Sequence, residues 1–288
     1  MEKVAESFRR DGFAIIDDFL TNEEIQSLRL ESIRLIREEA LKSEQRQIFG
    51  NENNSKSDYF VTSGDKIRYF FEKNAFNPKN RELIVPEEQS LAKIGHALHC
   101  LNPKFRAVTT SLKIKDVFKA IGFGDPRVAQ SMVIFKNPKV GGEYTPHQDA
   151  SFLHTEPIKL AGIWLALDDA TPENGCLEFI PGSHHWPLAR RFVRTNRPAG
   201  DGNDDSLLEW TAPVKDYDQS QFLKHPVRSG ALVLIHGLVV HRSNPNMSDH
   251  PRWVYTFHAY DNSCSVYSKD NWLQEIDNET FLSINQCP

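Results

Sequence analysis

Residues 230–241, GALVLIHGLVVH, are the most apolar strand candidate in the chain and end in a histidine. A short apolar run of this kind, bounded by glycine and polar residues, is typical of a buried β-strand. Four similar runs follow one another from about residue 127: VAQSMVIFK (128–136), LAGIWLAL (160–167), CLEFIPG (176–182) and WVYTFHAY (253–260). Several short strands separated by Gly, Pro and Asn predict an antiparallel sandwich or barrel.

The chain before these strands is predicted to be largely helical. Thr21 is followed three residues later by Glu24, which matches a capping box, and apolar residues then recur at helical spacing. This pattern predicts a helix over residues 22–42. Two more helices are predicted, over residues 87–99 and 105–121. An aromatic hairpin is predicted over residues 58–73.

The length allows one large domain or two modest ones. With 288 residues, of which 39% are hydrophobic, the chain can bury a sizeable core. We predict a single domain over residues 1–288, with a helical part over about 1–125 and a β-rich core over about 126–262. Residues 194–221 are rich in Asp, Asn, Gly and Pro, which predicts a long loop inserted between strands.

Composition also excludes several classes of protein. The net charge of −5 and the absence of basic runs argue against nucleic-acid binding. The apolar runs are far shorter than the roughly 20 residues that cross a bilayer, so no membrane association is expected. We see no secretory, transit or peroxisomal signal. The four cysteines form no C-x-x-C pair, so we expect reduced thiols in a cytoplasmic protein. We also predict that the protein is a monomer.

A His-x-Asp pair lies in the segment YTPHQDAS, residues 144–151. Side chains at positions i and i+2 of a strand project from the same face, so His147 and Asp149 can bind one ion. His241, at the end of the apolar strand candidate, is the predicted third ligand. Two histidines and one carboxylate form the facial triad of non-haem iron sites, which leaves positions open for a co-substrate and oxygen.

Arg252 follows His241 by eleven residues and opens the last strand candidate. The segment between them is rich in Asn, Pro and Ser, and we predict a hairpin that returns Arg252 towards the metal. A guanidinium binds a carboxylate through two parallel hydrogen bonds. Such charge-assisted bonds contribute about 1.5 to 3 kcal/mol, which is enough to select a dicarboxylate co-substrate.

These motifs together resemble the phytanoyl-CoA dioxygenase family of Fe(II)/2-oxoglutarate oxygenases. The resemblance also includes ENGCLEFIPGSHH (173–185), DYFVTSGDKIRYFFEK (58–73), KIGHALH (93–99) and QSMVIFKNP (130–138), and it extends from about residue 11 to residue 272. It implies a mainly β fold with flanking α-helices. The core is expected to be a double-stranded β-helix, a cupin-like jelly roll, with the N-terminal helices packed around it.

The resemblance further implies a catalytic set, namely His147, Asp149, His241 and Arg252. The first three are implied as ligands of Fe(II), and the arginine as the residue that binds the distal carboxylate of 2-oxoglutarate. Other family positions that contact the co-substrate match Lys93, Met132, Gln148 and Trp164. The implied reaction uses O2, with ascorbate as a supporting reductant. It couples decarboxylation of 2-oxoglutarate to succinate and CO2 with hydroxylation of a small molecule, for which an acyl-CoA is one candidate.

Other histidines compete with this set. His154 and Glu156 form a second His-x-acid pair, but strand parity turns it to the other face and Pro157 interrupts the ladder behind it. Three more histidines are interpreted as core residues or as hydrogen-bond partners of a ligand, with His184 the best candidate for the latter role: His184, His185 and His236.

Two other functions remain open at the level of the sequence. The first is a cupin-like module that binds a metal and 2-oxoglutarate without turnover. The second is a hydrolase that uses a zinc-bound hydroxide. In that hydrolase Arg252 has no role at its observed spacing.

Overall fold

A computed structural model describes residues 1–42, 46–50, 55–195, 206–275 and 281–286. Within these residues the strands are β1 Phe13–Ile16, β2 Gln47–Ile48, β3 Ile67–Phe71, β4 Leu91–His96, β5 Pro126–Lys136, β6 Tyr144–His147, β7 Thr155–Glu156, β8 Leu160–Ala166, β9 Leu177–Phe179, β10 Phe192–Arg194, β11 Leu208–Trp210, β12 Leu223–His225, β13 Leu232–His236, β14 His241–Ser243, β15 Arg252–Asp261, β16 Val266–Tyr267 and β17 Leu282–Ser283. The α-helices are α1 Glu2–Asp11, α2 Asn22–Leu35, α3 Asp58–Val61, α4 Leu98–Leu101, α5 Pro103–Thr109 and α6 Leu112–Ala120.

Two sheets form the core of the molecule. The large sheet has the order β1-β13-β8-β15-β5-β4-β3-β2, and β17 also pairs with β5. The small sheet has the order β12-β9-β14-β6. All of these pairs are antiparallel except β2 with β3. Two facing antiparallel sheets with this order form the jelly roll, and the predicted fold class is confirmed.

The two faces of the large sheet bury different partners. Along β8, Ile163 and Leu165 pack with the helices, in one cluster with Phe118 of α6. Trp164 lies between them and turns to the other face, where it packs in the cluster that contains Phe179 of the small sheet. This alternation follows the two-residue period of a strand. The helices therefore cover one face, and the interior of the jelly roll lies on the other.

The first predicted helix is confirmed at its amino end. The backbone N–H of Glu24 donates to the Thr21 hydroxyl at 3.3 Å, and the Thr21 N–H donates to the Glu24 carboxylate at 2.8 Å. This capping box starts α2, which continues beyond Leu35 as a π-helical turn, Ile36–Ala40. The helical prediction over residues 22–42 is thus correct in position, with a change of helical pitch in its last turns.

Three other predictions in this part of the chain need correction. The helix predicted over residues 87–99 is wrong, because β4 lies there between β3 and β5 and is buried at all six positions. A strand covered on both faces shows no alternation, which hid it in the sequence. The hairpin over residues 58–73 is also wrong, since α3 precedes β3 and β3 pairs with β4. The helix over residues 105–121 is divided into α5 and α6.

The apolar stretch 230–241 is not one strand but two. β13 ends at His236 in the large sheet, and β14 begins at His241 in the small sheet. Gly237 lies at the crossing, where an added Cβ would meet the Leu160 Cβ at 2.8 Å, so only glycine fits this close approach. The crossing carries His241 to the small sheet, beside β6.

The predicted insertion, residues 194–221, is only partly described, since residues 196–205 lie outside the described residues. On either side of them β10 pairs with β11, with Phe192 opposite Trp210. Among the helices of the described chain, none combines the length and the apolar character that a bilayer crossing requires.

Candidate active site

The small sheet brings together the three predicted ligands. His241 of β14 lies directly opposite His147 of β6, with 4.2 Å between ring centres. Asp149 opens a short turn just after β6, and its Oδ1 lies 3.6 Å from His147 Nε2 and 3.7 Å from His241 Nε2. One ligand atom from each of the three residues lies within 4.8 Å of the other two. In the described part of the chain, this is the only such group of three His, Cys, Asp or Glu residues.

The hydrogen bonds of the two rings suit them to a metal. His147 Nδ1 lies 2.7 Å from the carbonyl oxygen of Thr145, and His241 Nδ1 lies 3.1 Å from that of Val239. A carbonyl only accepts, so each Nδ1 carries the proton and each Nε2 presents a lone pair. The bonds from a divalent ion such as Zn²⁺ to nitrogen and oxygen ligands are about 2.1 Å long, so two ligands of one ion lie up to about 4.2 Å apart. The observed separations from Asp149 Oδ1 fit one ion.

Burial and charge favour the ligand forms of these groups. Burial, helped by repulsion from His241, lowers the pKa of His147 to about 4, which keeps the imidazole neutral. Burial opposes ionisation of Asp149, yet the neighbouring His258 and His241 hold the pKa of its carboxyl below the ordinary range. A neutral imidazole and an ionised carboxylate are the forms that bind a divalent ion.

A further histidine, His258 of β15, fixes the orientation of the carboxylate. Its Nε2 lies 3.2 Å from Asp149 Oδ2, and its Nδ1 lies 3.3 Å from the amide nitrogen of Gln130. Because the amide nitrogen only donates, Nδ1 accepts, and the ring proton is on Nε2, which faces Asp149. Gly162 of β8 packs closely against this pair, since an added Cβ would lie 3.2 Å from His258 Nε2. His258 is not among the site residues predicted from the sequence. It lies six residues after Arg252 on β15, and this even spacing places both side chains on the same face of the strand.

Replacing His258 by phenylalanine keeps an aromatic ring but removes the Nε2 that lies 3.2 Å from Asp149 Oδ2. We expect Fe(II) affinity to fall by about 10- to 100-fold, because partners of this kind hold a ligand in its binding orientation. Gln130→Leu should also lower the Fe(II) affinity, but by a smaller factor. It removes only the contact that fixes which ring nitrogen of His258 carries the proton. Equilibrium dialysis of the metal, with melting temperatures as the control for folding, measures both. Unchanged metal affinity in His258→Phe would contradict this role.

Arg252 opens β15 in the large sheet, across the jelly-roll interior from the ligands. The predicted hairpin from His241 is therefore wrong in its route, because the chain passes from the small sheet to the large one. Arg252 Nε and Nη1 are buried and have no hydrogen-bond partner among the described residues. Its Cζ lies 5.4 Å from the centre of the Trp164 ring. Burial lowers the pKa of the guanidinium to about 10, and it remains charged at neutral pH.

Lys93, which the sequence had suggested on a helix, lies on β4 and is 5% exposed. Its Nζ lies 4.1 Å from the centre of the Phe49 ring and 3.7 Å from Met132 Sδ. Burial lowers the pKa of this amine to about 7. The amine is thus held among apolar groups, with no carboxylate partner in the described chain.

Lys93→Met should stabilise the metal-free protein at low pH. The unfolded amine has a pKa of 10.5 and the folded one about 7, so the cost of burying the charge is complete below pH 7. That cost declines as pH rises from 7 to 10.5. At pH 6 we expect the free energy of unfolding to increase by no more than about 5 kcal/mol, and near pH 10 to change little.

Urea unfolding of Lys93→Met at pH 6 and pH 9.5 measures this difference. Lys119→Met is the matched control, because Lys119 is exposed on α6 and its removal should act equally at both pH values. A gain in Lys93→Met that is independent of pH would show that packing, rather than charge, explains the effect.

A cavity of about 520 Å³ joins these groups. Its lining includes the predicted site residues His147, Asp149, His241, Arg252, Lys93, Met132 and Trp164. It also includes residues that the sequence analysis missed, among them Phe49, Phe152, Arg190, Trp210, Gln130, Tyr144, His258 and Trp272. Most of these additions are aromatic. Apart from His258, they come from distant segments and share no local pattern, so the sequence offered no signal for them.

Gln148 does not line this cavity, although the sequence analysis placed it among the co-substrate contacts. Its amide nitrogen donates to the Leu238 carbonyl at 2.9 Å, and its oxygen accepts from the Ala189 N–H at 2.9 Å. As the neighbour of His147 on an extended segment, it points to the opposite face. This placement corrects the earlier prediction, and Gln148 instead ties two loops behind the ligands.

The competing histidines also lie away from the centre. His184, the best candidate for a hydrogen bond to a ligand, instead has its Nε2 3.0 Å from the Arg9 carbonyl of α1. His236 packs on His184, with 5.1 Å between ring centres. His154, of the second His-x-acid pair, lies outside the three-residue cluster. The role expected of His184 belongs to His258.

Comparison with known proteins identifies the family. The sequence model described as Phytanoyl-CoA dioxygenase (PhyH) matches residues 8–254, which is most of the chain. The chain belongs to the phytanoyl-CoA dioxygenase family. Together with the His-Asp-His centre, this membership makes the protein an iron- and 2-oxoglutarate-dependent oxygenase.

Relatives within the phytanoyl-CoA dioxygenase family match along nearly their whole length. Phytanoyl-CoA dioxygenase domain-containing protein 1 of Danio rerio is 45% identical, over 97% of this chain and 96% of the relative. The protein of the same name from Bos taurus is 46% identical, over 93% of each chain. The epimerase SnoN, solved in complex with Fe3+, alpha ketoglutarate and nogalamycin RO, superposes with a TM-score of 0.63. It is 18% identical and aligns over 96% of this chain and 90% of its own, a likeness that concerns the fold.

Proposed function

We propose that this oxygenase couples conversion of 2-oxoglutarate into succinate and CO2 with hydroxylation of a small-molecule substrate. In this proposal His147, Asp149 and His241 hold Fe(II), and Arg252 binds the distal carboxylate of 2-oxoglutarate. The observation that carries it is the pairing of a three-ligand centre with a buried, unpartnered guanidinium on one cavity. When bound, iron with 2-oxoglutarate and O2 supplies the oxidising power.

The residues of the chain supply position and charge. The Nε2 lone pairs of the two histidines and the Asp149 carboxylate would hold the ion, and His258, whose Nε2 lies 3.2 Å from the outer oxygen, keeps Asp149 aligned. Three protein ligands leave further positions on one side of the ion for the co-substrate and O2. The two histidines of the centre come from neighbouring strands, so the ligand geometry is set by the sheet rather than by flexible loops.

Arg252 provides the specificity for a diacid. A buried guanidinium without a partner is costly, and a carboxylate that accepts two of its N–H groups removes this cost. Trp164 lies against the guanidinium and limits its movement. Nearby, the Lys136 amine already donates to the Ser243 carbonyl at 3.1 Å, so Lys136 does not compete with Arg252 for the distal carboxylate. We assign Lys93, Met132 and Trp164 to the wall around the co-substrate.

Two other functions remain as outcomes of the test. A module that binds 2-oxoglutarate without turnover would use the same residues. A zinc hydrolase would use the three ligands but would leave the guanidinium without a function. The unpartnered Arg252 N–H groups therefore favour an enzyme that binds a diacid.

The test follows 2-oxoglutarate turnover in metal-stripped protein that is reloaded with Fe(II) or Zn(II). Carbon dioxide and succinate are measured with and without O2, and ascorbate is included in half of the reactions. We expect slow succinate formation that requires both Fe(II) and O2 and lasts longer with ascorbate. Binding of 2-oxoglutarate without any succinate would favour the binding module, and hydrolytic activity with Zn(II) alone would favour the hydrolase.

Four further aspects belong to this proposal. The large sheet shares one core cluster with the helices on one face and another with the small sheet on the other face, which supports a single domain over residues 1–288. Cys176 and Cys264 form no disulfide with any described residue, which supports a reducing compartment such as the cytoplasm. We also propose that the protein acts as a monomer, and that an acyl-CoA is one candidate for the hydroxylated substrate.

A further inference from the structure

One arginine of the cavity wall has no anionic partner among the residues that the structure describes. The cations that line the cavity are Lys93, Arg190, Arg242 and Arg252. Arg242 is neutralised by Glu178, whose carboxylate accepts its Nε and Nη2 at 2.8 Å, and Arg252 is assigned to the co-substrate. Arg190 forms no ion pair and no hydrogen bond with any described residue. Its Cζ lies 3.6 Å from the centre of the Trp210 ring, and the Tyr217 side chain is close enough to act on its charge.

The neighbouring arginines show that this arrangement is particular to Arg190. Arg191 Nη2 donates to Ser268 Oγ at 2.8 Å, and Arg194 Nε donates to the Trp272 carbonyl at 2.9 Å. Both of these side chains connect residues 191–194 to residues 268–272, which follow β15. Arg190 instead lies flat against an aromatic face, which leaves the N–H groups at its edge free to bind a ligand.

An aromatic wall connects this guanidinium with the metal centre. Phe152 lies against the His147 ring, with 6.0 Å between ring centres. Trp210 lies against Phe152 at 5.4 Å in an edge-to-face arrangement, and Arg190 covers Trp210. A molecule that reaches from the metal centre to Arg190 therefore passes along apolar ring surface.

We propose that Arg190 binds an acidic group of the primary substrate, while Phe152 and Trp210 contact its apolar body. This inference rests on the proposed function and specifies its substrate as an organic acid with an apolar or aromatic segment. That segment separates the acid from the carbon that is oxidised. The two carboxylates of 2-oxoglutarate are already assigned to the metal and Arg252, so the Arg190 site serves a different ligand.

The site favours one compact anion over a heavily charged one. A single guanidinium beside a ring binds a carboxylate or a phosphate through two hydrogen bonds. The aromatic neighbours supply apolar contact rather than further positive charge. Carboxylate and phosphate present the same chemistry to Arg190, and the ligands of the test distinguish between them.

The test measures binding without turnover. Protein loaded with Fe(II) and saturated with 2-oxoglutarate is kept anaerobic, so that the Arg252 site is filled. Three sets of probes are titrated by calorimetry: 4-phenylbutyrate, decanoate and indole-3-propionate, each with its neutral amide and with a phosphate monoester of the same body. We expect the acids as a group to bind the wild type at least about tenfold more tightly than the amides, as charge-assisted hydrogen bonds predict.

Arg190→Gln should reduce the preference for acids over amides to less than about twofold, and Arg190→Lys should retain part of it. Arg228→Gln is the matched control, because it makes the same charge change at an exposed position and should keep the wild-type preference. Tighter binding of the phosphate esters than of the carboxylates would identify the anion as a phosphate. Circular dichroism and melting temperatures verify that each variant is folded.

Two results would overturn the proposal. One is a wild type that shows no preference for the acids, including failure to bind any probe. The other is an Arg190→Gln variant that keeps the preference. Neither result depends on catalysis, so a protein that binds acids through Arg190 but forms no succinate would refute the oxygenase reaction and leave this binding site intact.

Discussion

Asp149→Ala is expected to reduce Fe(II)-dependent succinate formation by more than about a thousandfold, because it removes the one anionic ligand of the proposed metal centre. The two remaining ligands are neutral imidazoles, which cannot balance the charge of a divalent ion. His258 would also lose the acceptor that lies 3.2 Å from its Nε2. We expect the variant to bind Fe(II) too weakly to measure by dialysis at micromolar protein.

His154→Ala is the matched control for this loss. His154 belongs to the other His-x-acid pair of the chain, but it lies outside the cluster of three ligands. Its removal should leave both metal binding and succinate formation near wild-type levels. If Asp149→Ala retained iron-dependent succinate formation, or if His154→Ala lost it, the assignment of the centre would be wrong.

Arg252→Gln is expected to raise the KM for 2-oxoglutarate by about a hundredfold or more, with a smaller effect on kcat. Two charge-assisted hydrogen bonds are lost, each worth about 1.5 to 3 kcal/mol, and a neutral amide replaces a buried cation. Arg252→Lys keeps the charge but not the planar fork, so its KM should lie between those of the wild type and the glutamine variant.

A shorter co-substrate tests whether this loss belongs to the distal carboxylate. In 2-oxobutanoate the 2-oxo acid group is retained and the distal carboxylate is absent. The wild type should strongly prefer 2-oxoglutarate, whereas Arg252→Gln should discriminate much less between the two acids. An unchanged preference in the variant would place the distal carboxylate elsewhere, and unchanged activity would favour the hydrolase.

The sequence was informative about the centre because each part of it is a local pattern. His147 and Asp149 are two residues apart, and His241 follows a run that is apolar enough to be buried. Such patterns survive without knowledge of the fold. The jelly roll itself was indicated by several short runs separated by turns and by the family resemblance. The structure brings all three ligand candidates together.

The errors arose where burial on both faces or a change of sheet erased the local signal. Lys93 was placed on a helix because β4 is buried throughout and shows no alternation. The prediction for Gln148 equates nearness to the ligands in sequence with nearness in space. In an extended chain, however, the side chains of neighbouring residues point to opposite faces. Arg252 was given a hairpin route because nothing in the sequence marks the passage from one sheet to the other.

The wall of the cavity was beyond reach for a different reason. Phe152, Arg190 and Trp210 meet through tertiary contacts between segments that carry no shared motif. His258 was the exception that the sequence could have revealed. Once Arg252 is assigned to the interior face of β15, strand parity assigns His258 to the same face, beside the carboxylate.

The position of β6 at the end of the small sheet has a consequence for how metal affinity can evolve. Among the described strands β6 pairs with β14 alone, and it holds His147 and leads directly to Asp149. Border strands are the easiest part of a sheet to fray, because half of their backbone groups lack a partner strand. Substitutions at outward positions such as Thr145 can therefore adjust how often two ligands are in place without altering any ligand. Natural variation in iron affinity among such proteins should accumulate along this border rather than at the chelating residues.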